Sequence, residues 1–188
     1  MRSGVESAVA TIAAVPEERH HEISSLFSIA VWAMVLVSSI VEDGTAQQKT
    51  LKEQLVGTWT FVSSTGKLSD GTPAWGSNPS GLLIFSENGR YSSIIVRTDV
   101  PKFAANNRMQ GTPEENSAAV RGGIGGFGTY TVDEAKKSFT VKFEASTYPN
   151  QGGTEQTRPI AINGDELKIT NPSSTYAGQT ELTYKRAK

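Results

Sequence analysis

Residues 81–98, GLLIFSENGRYSSIIVRT, contain the pattern that decides the fold. Two runs rich in apolar and β-branched residues, Gly81–Ser86 and Tyr91–Thr98, flank the turn formed by Glu87-Asn88-Gly89. Asn-Gly favours the tight turns that join antiparallel strands, because both residues tolerate a positive φ. The stretch therefore predicts a β-hairpin.

The same period of two recurs along the chain after Leu51, interrupted at short intervals by turn signals. Six further strands are predicted on this basis: Gly57–Ser64, Gly126–Val132, Phe139–Tyr148, Thr154–Ile162, Leu167–Thr170 and Thr180–Arg186. Eight sequential antiparallel strands close most simply into an up-and-down barrel, which leaves no sheet edge and can hold one small ligand. The predicted fold is therefore all-β, a single eight-stranded antiparallel barrel.

Two helix starts accompany these strands. Thr112 as N-cap and Pro113 at the first helical position predict one short helix between the third and fourth strands. Thr50 and Glu53 have the spacing of a capping box, which predicts a helical turn before the first strand.

Residues 1–46 differ from the predicted barrel domain, residues 51–188, and are interpreted as an export segment. Residues 23–41 form an apolar run without charge, predicted to be helical, and Gly44 and Ala46 suit the small-residue positions of a signal-peptidase site. Cleavage after Ala46 is the preferred interpretation, and it predicts a periplasmic or secreted protein.

Two alternatives stay open for the apolar run. It is just long enough to span a bilayer and could be retained as an anchor, with the barrel outside the cytoplasm, or it could be a buried helix. Residues 1–18 are long for the start of a signal peptide, which a start codon downstream of Met1 would explain.

The composition excludes several kinds of chemistry. The chain has no cysteine, which excludes disulfides, a thiol nucleophile and thiolate metal sites. Its net charge is −1, and no stretch concentrates Lys and Arg as a nucleic-acid-binding surface would. The only two histidines are His20 and His21, and the barrel region contains no phosphate loop, Ser-His-Asp set or metal-ligand cluster. Neither a metal nor a cofactor is predicted.

Short motifs occur in a fixed order from Leu55 to the C-terminus: Leu55–Trp59, Asp70–Thr72, Pro79–Phe85, Asn88–Ser92, Thr112–Glu115, Gly128–Glu134, Gly153–Arg158 and Asn163–Leu167. In this ordered set the chain resembles the bacterial and fungal lipocalin-like domain proteins. The resemblance implies a barrel with a cavity, but no single activity. Many relatives carry a histidine on the strand that here reads Thr140–Phe143, so any acid–base role of that histidine is absent from this chain.

The resemblance also implies a structural site at the closed end of the barrel. In lipocalins a Gly-x-Trp on the first strand packs under a basic residue of the last strand. The counterparts here are Gly57, Trp59 and Arg186. A cation–π contact of this kind contributes about 1 kcal/mol.

Period two places polar side chains on inward faces. Arg158 and Gln156 share the face of Ile160 on the sixth strand, and Arg97 shares the face of Tyr91 on the third. An inward arginine requires a carboxylate, carbonyls, water or an anionic ligand. Two arginines directed into the cavity would suit a small carboxylate or an enolate oxygen.

The alternative for these arginines is an internal ion pair with Glu144 or Asp99, or exposure near a strand end. Four tyrosines could add polar tips to the cavity wall or simply pack in the core: Tyr130, Tyr148, Tyr176 and Tyr184. The glycine-rich segment 122–128 precedes a strand instead of opening a helix, which is the wrong context for a phosphate loop. It is interpreted as a flexible segment, with a lid at the barrel mouth as one role.

Three functions remain open, and binding is favoured because no catalytic constellation is present. The first is an exported protein that binds a small hydrophobic or amphipathic molecule, such as a carboxylate, through Arg158, Gln156, Arg97, Tyr130 and Tyr184. The second is a cofactor-independent isomerase or cyclase for a polyketide-like or oxylipin-like substrate, with Arg158, Gln156, Tyr130 and Glu144 as its polar groups. The third is a structural or interaction protein of the cell envelope. Contact with a membrane is predicted only through residues 23–41, if they are not cleaved.

Overall fold

A computed structural model describes residues 48–188; the predicted signal or anchor at residues 23–41 and the cleavage position after Ala46 lie outside the described residues. Eight antiparallel strands form a closed barrel in sequence order, and β8 pairs with β1 to complete it. The strands are β1 (Gly57–Ser64), β2 (Pro79–Phe85), β3 (Arg90–Arg97), β4 (Gly123–Asp133), β5 (Ser138–Ser146), β6 (Glu155–Asn163), β7 (Glu166–Ser174) and β8 (Gly178–Arg186). The predicted eight-stranded up-and-down barrel is confirmed.

Short helices accompany the strands. Helix α1 (Leu51–Leu55) precedes β1, and helix α2 (Pro113–Arg121) lies between β3 and β4. Each begins with a capping box, formed by Thr50 with Glu53 and by Thr112 with Glu115, so the first backbone N–H groups of both helices have acceptors. Single turns of 3₁₀ helix occur at Arg108–Gln110 and Pro149–Gln151. Within residues 48–188, neither helix has the length and apolar character needed to cross a membrane.

The two ends of the barrel differ. At one end the strands are joined by tight turns, and α1 packs across the opening with Leu55 fully buried. Glu134, in the β4–β5 turn, accepts hydrogen bonds from the backbone N–H groups of Leu51 and Lys52 at 2.8 and 3.1 Å and so holds α1 in place. At the other end three of the four connections are longer, and the connections surround the mouth of the barrel. They comprise residues 65–78, 98–122, 147–154 and 175–177.

Aromatic rings fill the interior towards the closed end. Phe85 is central, with ring-centre distances of 5.5 Å to Tyr91, 4.9 Å to Tyr130 and 5.0 Å to Phe139, all in edge-to-face geometry. Such contacts contribute about 1 kcal/mol per pair beyond the burial of area. The part of the barrel nearer the closed end is therefore a packed core, and the cavities described below lie nearer the mouth.

The glycine-rich segment is a strand, so its interpretation as a flexible segment or lid is wrong. Strand β4 begins at Gly123, three residues earlier than predicted, and pairs with β3 from Val96 onwards. The physical reason is that β4 and β5 lie too close together for side chains at these glycines. A Cβ at Gly126 would lie 3.1 Å from the Phe143 ring, and one at Gly128 would overlap the carbonyl oxygen of Lys142. Glycine is required here for close approach of the strands.

Strand β7 is also longer than predicted. It continues past Thr170 to Ser174, with a register shift between Asn171 and Ser174 in its pairing with β8. Pro172 lies within this irregular part and has no N–H to donate to the ladder. The bulge accommodates the proline within the strand.

Candidate functional site

An inner cavity of about 60 Å³ lies inside the barrel between the aromatic core and the mouth. Its wall combines apolar groups with a small set of polar ones. The polar residues of the wall include Arg158, Gln156, Tyr184, Tyr91 and Ser93, with Gln151, Asn171, Ser173 and Thr175. One water needs about 10–15 Å³ of cavity volume. The cavity therefore holds a few water-sized groups, such as the oxygen-bearing end of a small molecule.

Arg158 is the charged group of this cavity. Its side chain comes from β6 and is only 8% exposed. The guanidinium Nη2 donates to Oε1 of Gln156 at 2.6 Å, and its central carbon lies 6.0 Å from the centre of the Phe143 ring. Nε is buried without an acceptor, and no carboxylate within residues 48–188 forms a salt bridge with this arginine. A buried cation with an unused donor is costly unless an anion or acceptor meets it.

Tyr184 and Tyr91 add neutral donors to the cavity. Tyr184 is almost fully buried, and its edge packs against Phe61 with ring centres 5.3 Å apart. Both side chains line the cavity. Burial, above all, raises the pKa of Tyr184 far beyond its usual range; Tyr91 adds to this rise, whereas Arg158 opposes it. Tyr184 is therefore a neutral phenol at any physiological pH.

The raised pKa of Tyr184 predicts a specific loss of stability in alkali. Because the folded pKa lies above the unfolded value of about 10, the contribution of Tyr184 is complete below about pH 10 and is lost as the pH rises above it. We expect Tyr184→Phe to reduce the fall in the free energy of unfolding between about pH 8 and pH 11, measured by urea titration. The matched variant Tyr148→Phe, at a half-exposed residue, should leave that fall unchanged. An equal fall in wild type and Tyr184→Phe would contradict the prediction.

A second, larger chamber of about 570 Å³ opens at the mouth of the barrel. Residues of the long connections line it, together with the start of β4 and the end of α2. Its walls include Leu68, Val100, Ile124 and Tyr148. A volume of this size is in the range of sites for small organic molecules.

Four residues line both the inner cavity and the outer chamber and so lie between them: Trp75, Tyr176, Ile124 and Thr175. Trp75 and Tyr176 are the two aromatic rings among them. The indole Nε1 of Trp75 donates to the hydroxyl of Tyr176 at 2.9 Å, and the rings meet edge to face with centres 5.5 Å apart. Trp75 is 8% exposed although it comes from a connecting segment. This segment, residues 65–78, is ordered by its own bonds, including the bridge between Lys67 and Pro73.

The structure brings only part of the predicted site together. Arg158, Gln156 and Tyr184 line one cavity. Tyr130 does not: its hydroxyl donates to the carbonyl of Ser86 at 2.9 Å, in the turn at the closed end.

The other predicted arginine, Arg97, lies in the outer chamber. Its Nε and Nη2 donate to the two carboxylate oxygens of Asp99 at 2.9 and 2.7 Å, and this hydrogen-bonded guanidinium lowers the pKa of the Asp99 carboxyl. An ion pair of Arg97 with Asp99 was one of the alternatives for this residue. The alternative internal ion pair between an inward arginine and Glu144 is not formed. Glu144 lies on the outer surface, where it binds Arg90.

Gly57, Trp59 and Arg186 meet at the closed end. The central guanidinium carbon of Arg186 lies 4.1 Å from the centre of the Trp59 ring. Its Nη2 and Nη1 donate to the carbonyls of Gln54 and Val56 at 2.6 and 3.1 Å. Gly57 has a φ of +130°, and a Cβ there would lie 3.0 Å from Nη1 of Arg186. Only glycine combines this backbone conformation with such close approach.

The model of a family described as lipocalin-like domain matches residues 56–187, which include all eight strands of the barrel. The chain belongs to this family. Over 85 residues it is 29% identical to the 4'-hydroxy-3'-methoxypropiophenone carrier protein of Aspergillus oryzae, an alignment that covers 42% of this chain and 77% of that protein.

The chain was also matched to solved structures. Fatty-acid-binding protein 1 of Echinococcus granulosus is 14% identical with a TM-score of 0.35, and the match covers 72% of this chain and 99% of that one. The fluorescent protein UnaG is 14% identical with a TM-score of 0.33, and the match covers 72% of this chain and 98% of that one.

In this lipocalin-like domain, sequence reasoning missed Trp75 as a cavity residue. Trp75 lies between the turn residues Asp70–Pro73 and Asn78-Pro79, which indicate an irregular loop. No local pattern predicts that this loop folds back over the barrel. A large apolar ring between two turn signals was the available clue. Within residues 48–188, no three His, Cys, Asp or Glu side chains come together as metal ligands would.

Proposed function

We propose that this protein binds and carries a small amphipathic molecule whose oxygen-bearing end lies in the inner cavity against Arg158. The observation that carries the proposal is the buried guanidinium with an unused donor at the cavity wall. Donors are available beside it, because the hydroxyls of Tyr184 and Tyr91 line the same cavity and the Gln156 oxygen already accepts from Arg158. Such a set selects an acceptor-rich group, either a carboxylate or another anionic or carbonyl oxygen.

Family membership supports this function, because closed barrels of this size can enclose one small ligand. The relative from Aspergillus oryzae is a 4'-hydroxy-3'-methoxypropiophenone carrier, which favours carriage over catalysis. The isomerase or cyclase alternative included Glu144 among its polar groups, and that carboxylate lies outside the barrel in a salt bridge with Arg90. Export through residues 1–46 remains a proposal, and sequencing the N-terminus of the mature protein tests it directly.

Arg158→Gln tests the binding function. We expect the full chain to bind phenylpropionate at least about tenfold more weakly by calorimetric titration, because charge-assisted hydrogen bonds contribute about 1.5–3 kcal/mol. The unliganded variant should keep its stability to within about 1 kcal/mol, since removal of an unpaired buried charge is often neutral. Arg90→Gln, on the outer wall, is the matched control and should bind like wild type. Unchanged binding by Arg158→Gln, or a severe loss of stability, would overturn the proposal.

A further inference from the structure

The inner cavity is too small to enclose a whole ligand. Its volume is about 60 Å³, whereas sites for small organic molecules usually measure about 300–1,000 Å³. The space below it is filled by the rings around Phe85, and Tyr91 packs against Phe139 and Phe143 with ring centres 6.1 and 5.8 Å apart. Extending the cavity downwards would require several buried rings to move together. A ligand whose head group reaches Arg158 must therefore have its body on the mouth side.

The outer chamber is a large space on the mouth side, and Trp75 and Tyr176 are the aromatic part of its boundary with the inner cavity. Both rings are held in defined positions. Their hydrogen bond is 2.9 Å long, and Tyr176 packs closely over Gly66. A Cβ at Gly66 would lie 2.5 Å from a ring carbon of Tyr176. The Tyr176 ring can lie here only because residue 66 is glycine. The boundary is thus a built part of the cavity wall.

We propose that Trp75 and Tyr176 determine the ligand class, and that the protein takes a compact aromatic amphiphile: one ring in the outer chamber, joined by a short chain to an oxygen-bearing head group at Arg158. This inference rests on the proposed binding function. The aromatic ring of the ligand lies against Trp75 and Tyr176. The short chain of the ligand passes between these two side chains and moves them apart. The lost hydrogen bond between the two residues is offset by contacts of both rings with the ligand.

Two ligand properties follow from this arrangement. Contact between aromatic rings favours a ligand ring over a saturated ring of the same size by about fivefold in affinity. Long alkyl chains gain little, because the core below the inner cavity is packed and the outer chamber opens to solvent, so part of a long chain stays in contact with water. A long-chain fatty acid should bind no more tightly than a short aryl acid.

Three acids test the inference on the full chain by calorimetric titration: phenylpropionate, its saturated counterpart cyclohexylpropionate, and hexadecanoate. We expect phenylpropionate to bind about fivefold more tightly than cyclohexylpropionate, and hexadecanoate to bind no more tightly than phenylpropionate. In Trp75→Leu the preference for the phenyl ring should fall to about one, while cyclohexylpropionate still binds. Tyr176→Leu, at a half-buried residue that is easier to replace, should reduce the preference in the same direction.

Phe127→Leu is the matched control, because this aromatic residue is 46% exposed on the outside of the barrel. It should retain the full preference for the phenyl ring. Equal binding of the two short acids by wild type, a preference that survives both Trp75→Leu and Tyr176→Leu, or tighter binding of hexadecanoate would each overturn this inference. Arg158 dependence of binding would then still support the carrier function. If none of the three acids binds, or if Arg158→Gln binds all three like wild type, the proposed function fails as well.

Discussion

Gly128→Ala is expected to lose at least about 3 kcal/mol of unfolding free energy. A Cβ at this position would overlap the carbonyl oxygen of Lys142, and it would also approach the backbone nitrogen of Glu144 to 3.1 Å. These are backbone atoms of the neighbouring strand, so no side-chain rotation relieves the clash. The overlap falls where the pairing of β4 with β5 shifts register, between Phe127 and Gly128. The strands must separate there to admit a methyl group, and the closed barrel cannot adjust at a free edge.

Gly125→Ala is the matched control, on the same strand and without a positive φ. Its Cβ would lie 3.4 Å from the carbonyl of Ser93, an ordinary contact, so its free energy of unfolding should change by less than about 1 kcal/mol. Urea titration followed by circular dichroism measures both variants. If Gly128→Ala unfolded at the wild-type urea concentration, the close approach of β4 and β5 described here would be wrong.

Gly128 also illustrates what the sequence can and cannot specify. The spacing of strands and turns predicted the barrel, because period two and Asn-Gly turns are local signals. The start of helix α2 was equally local, since Thr112, Pro113 and Glu115 lie next to one another. A glycine required by close approach gives the same local signal as a glycine that provides flexibility. The two cases differ only in what the neighbouring strand places opposite the residue, and that depends on register and bulges.

The candidate site, too, was predictable where local patterns decide and not where tertiary contacts decide. Period two correctly places a side chain on the inner or outer face of a strand, but it carries no information on depth along the barrel axis. Tyr130 and Tyr184 both point inwards, yet Tyr130 bonds to Ser86 at the closed end and Tyr184 lines the cavity. Depth is set by the stagger of all the strands around the barrel, which is a global property. No local pattern predicts the position of Trp75, because that position depends on a tertiary contact with Tyr176.

Arg186→Met is expected to destabilise the barrel by about 3 kcal/mol. Methionine keeps much of the length and apolar area of the side chain, so the change removes mainly the charge and its hydrogen bonds. The variant loses the cation–π contact with Trp59 and the two hydrogen bonds to the carbonyls of Gln54 and Val56. It also loses a salt bridge to the exposed Asp165, at 3.7 Å, which contributes little. These bonds tie β8 to α1 and to the start of β1, so their loss loosens the closed end as a unit.

Lys185→Met provides the matched control for Arg186→Met. Lys185 is the preceding residue of β8, its side chain faces solvent, and within residues 48–188 it forms no salt bridge. The same loss of positive charge there should change the free energy of unfolding by no more than about 0.5 kcal/mol. Fluorescence adds a second measurement, because Trp59 is fully buried and should become more accessible to iodide quenching in Arg186→Met alone. Equal effects of the two variants would show that net charge, and not the contact with Trp59, accounts for the role of Arg186.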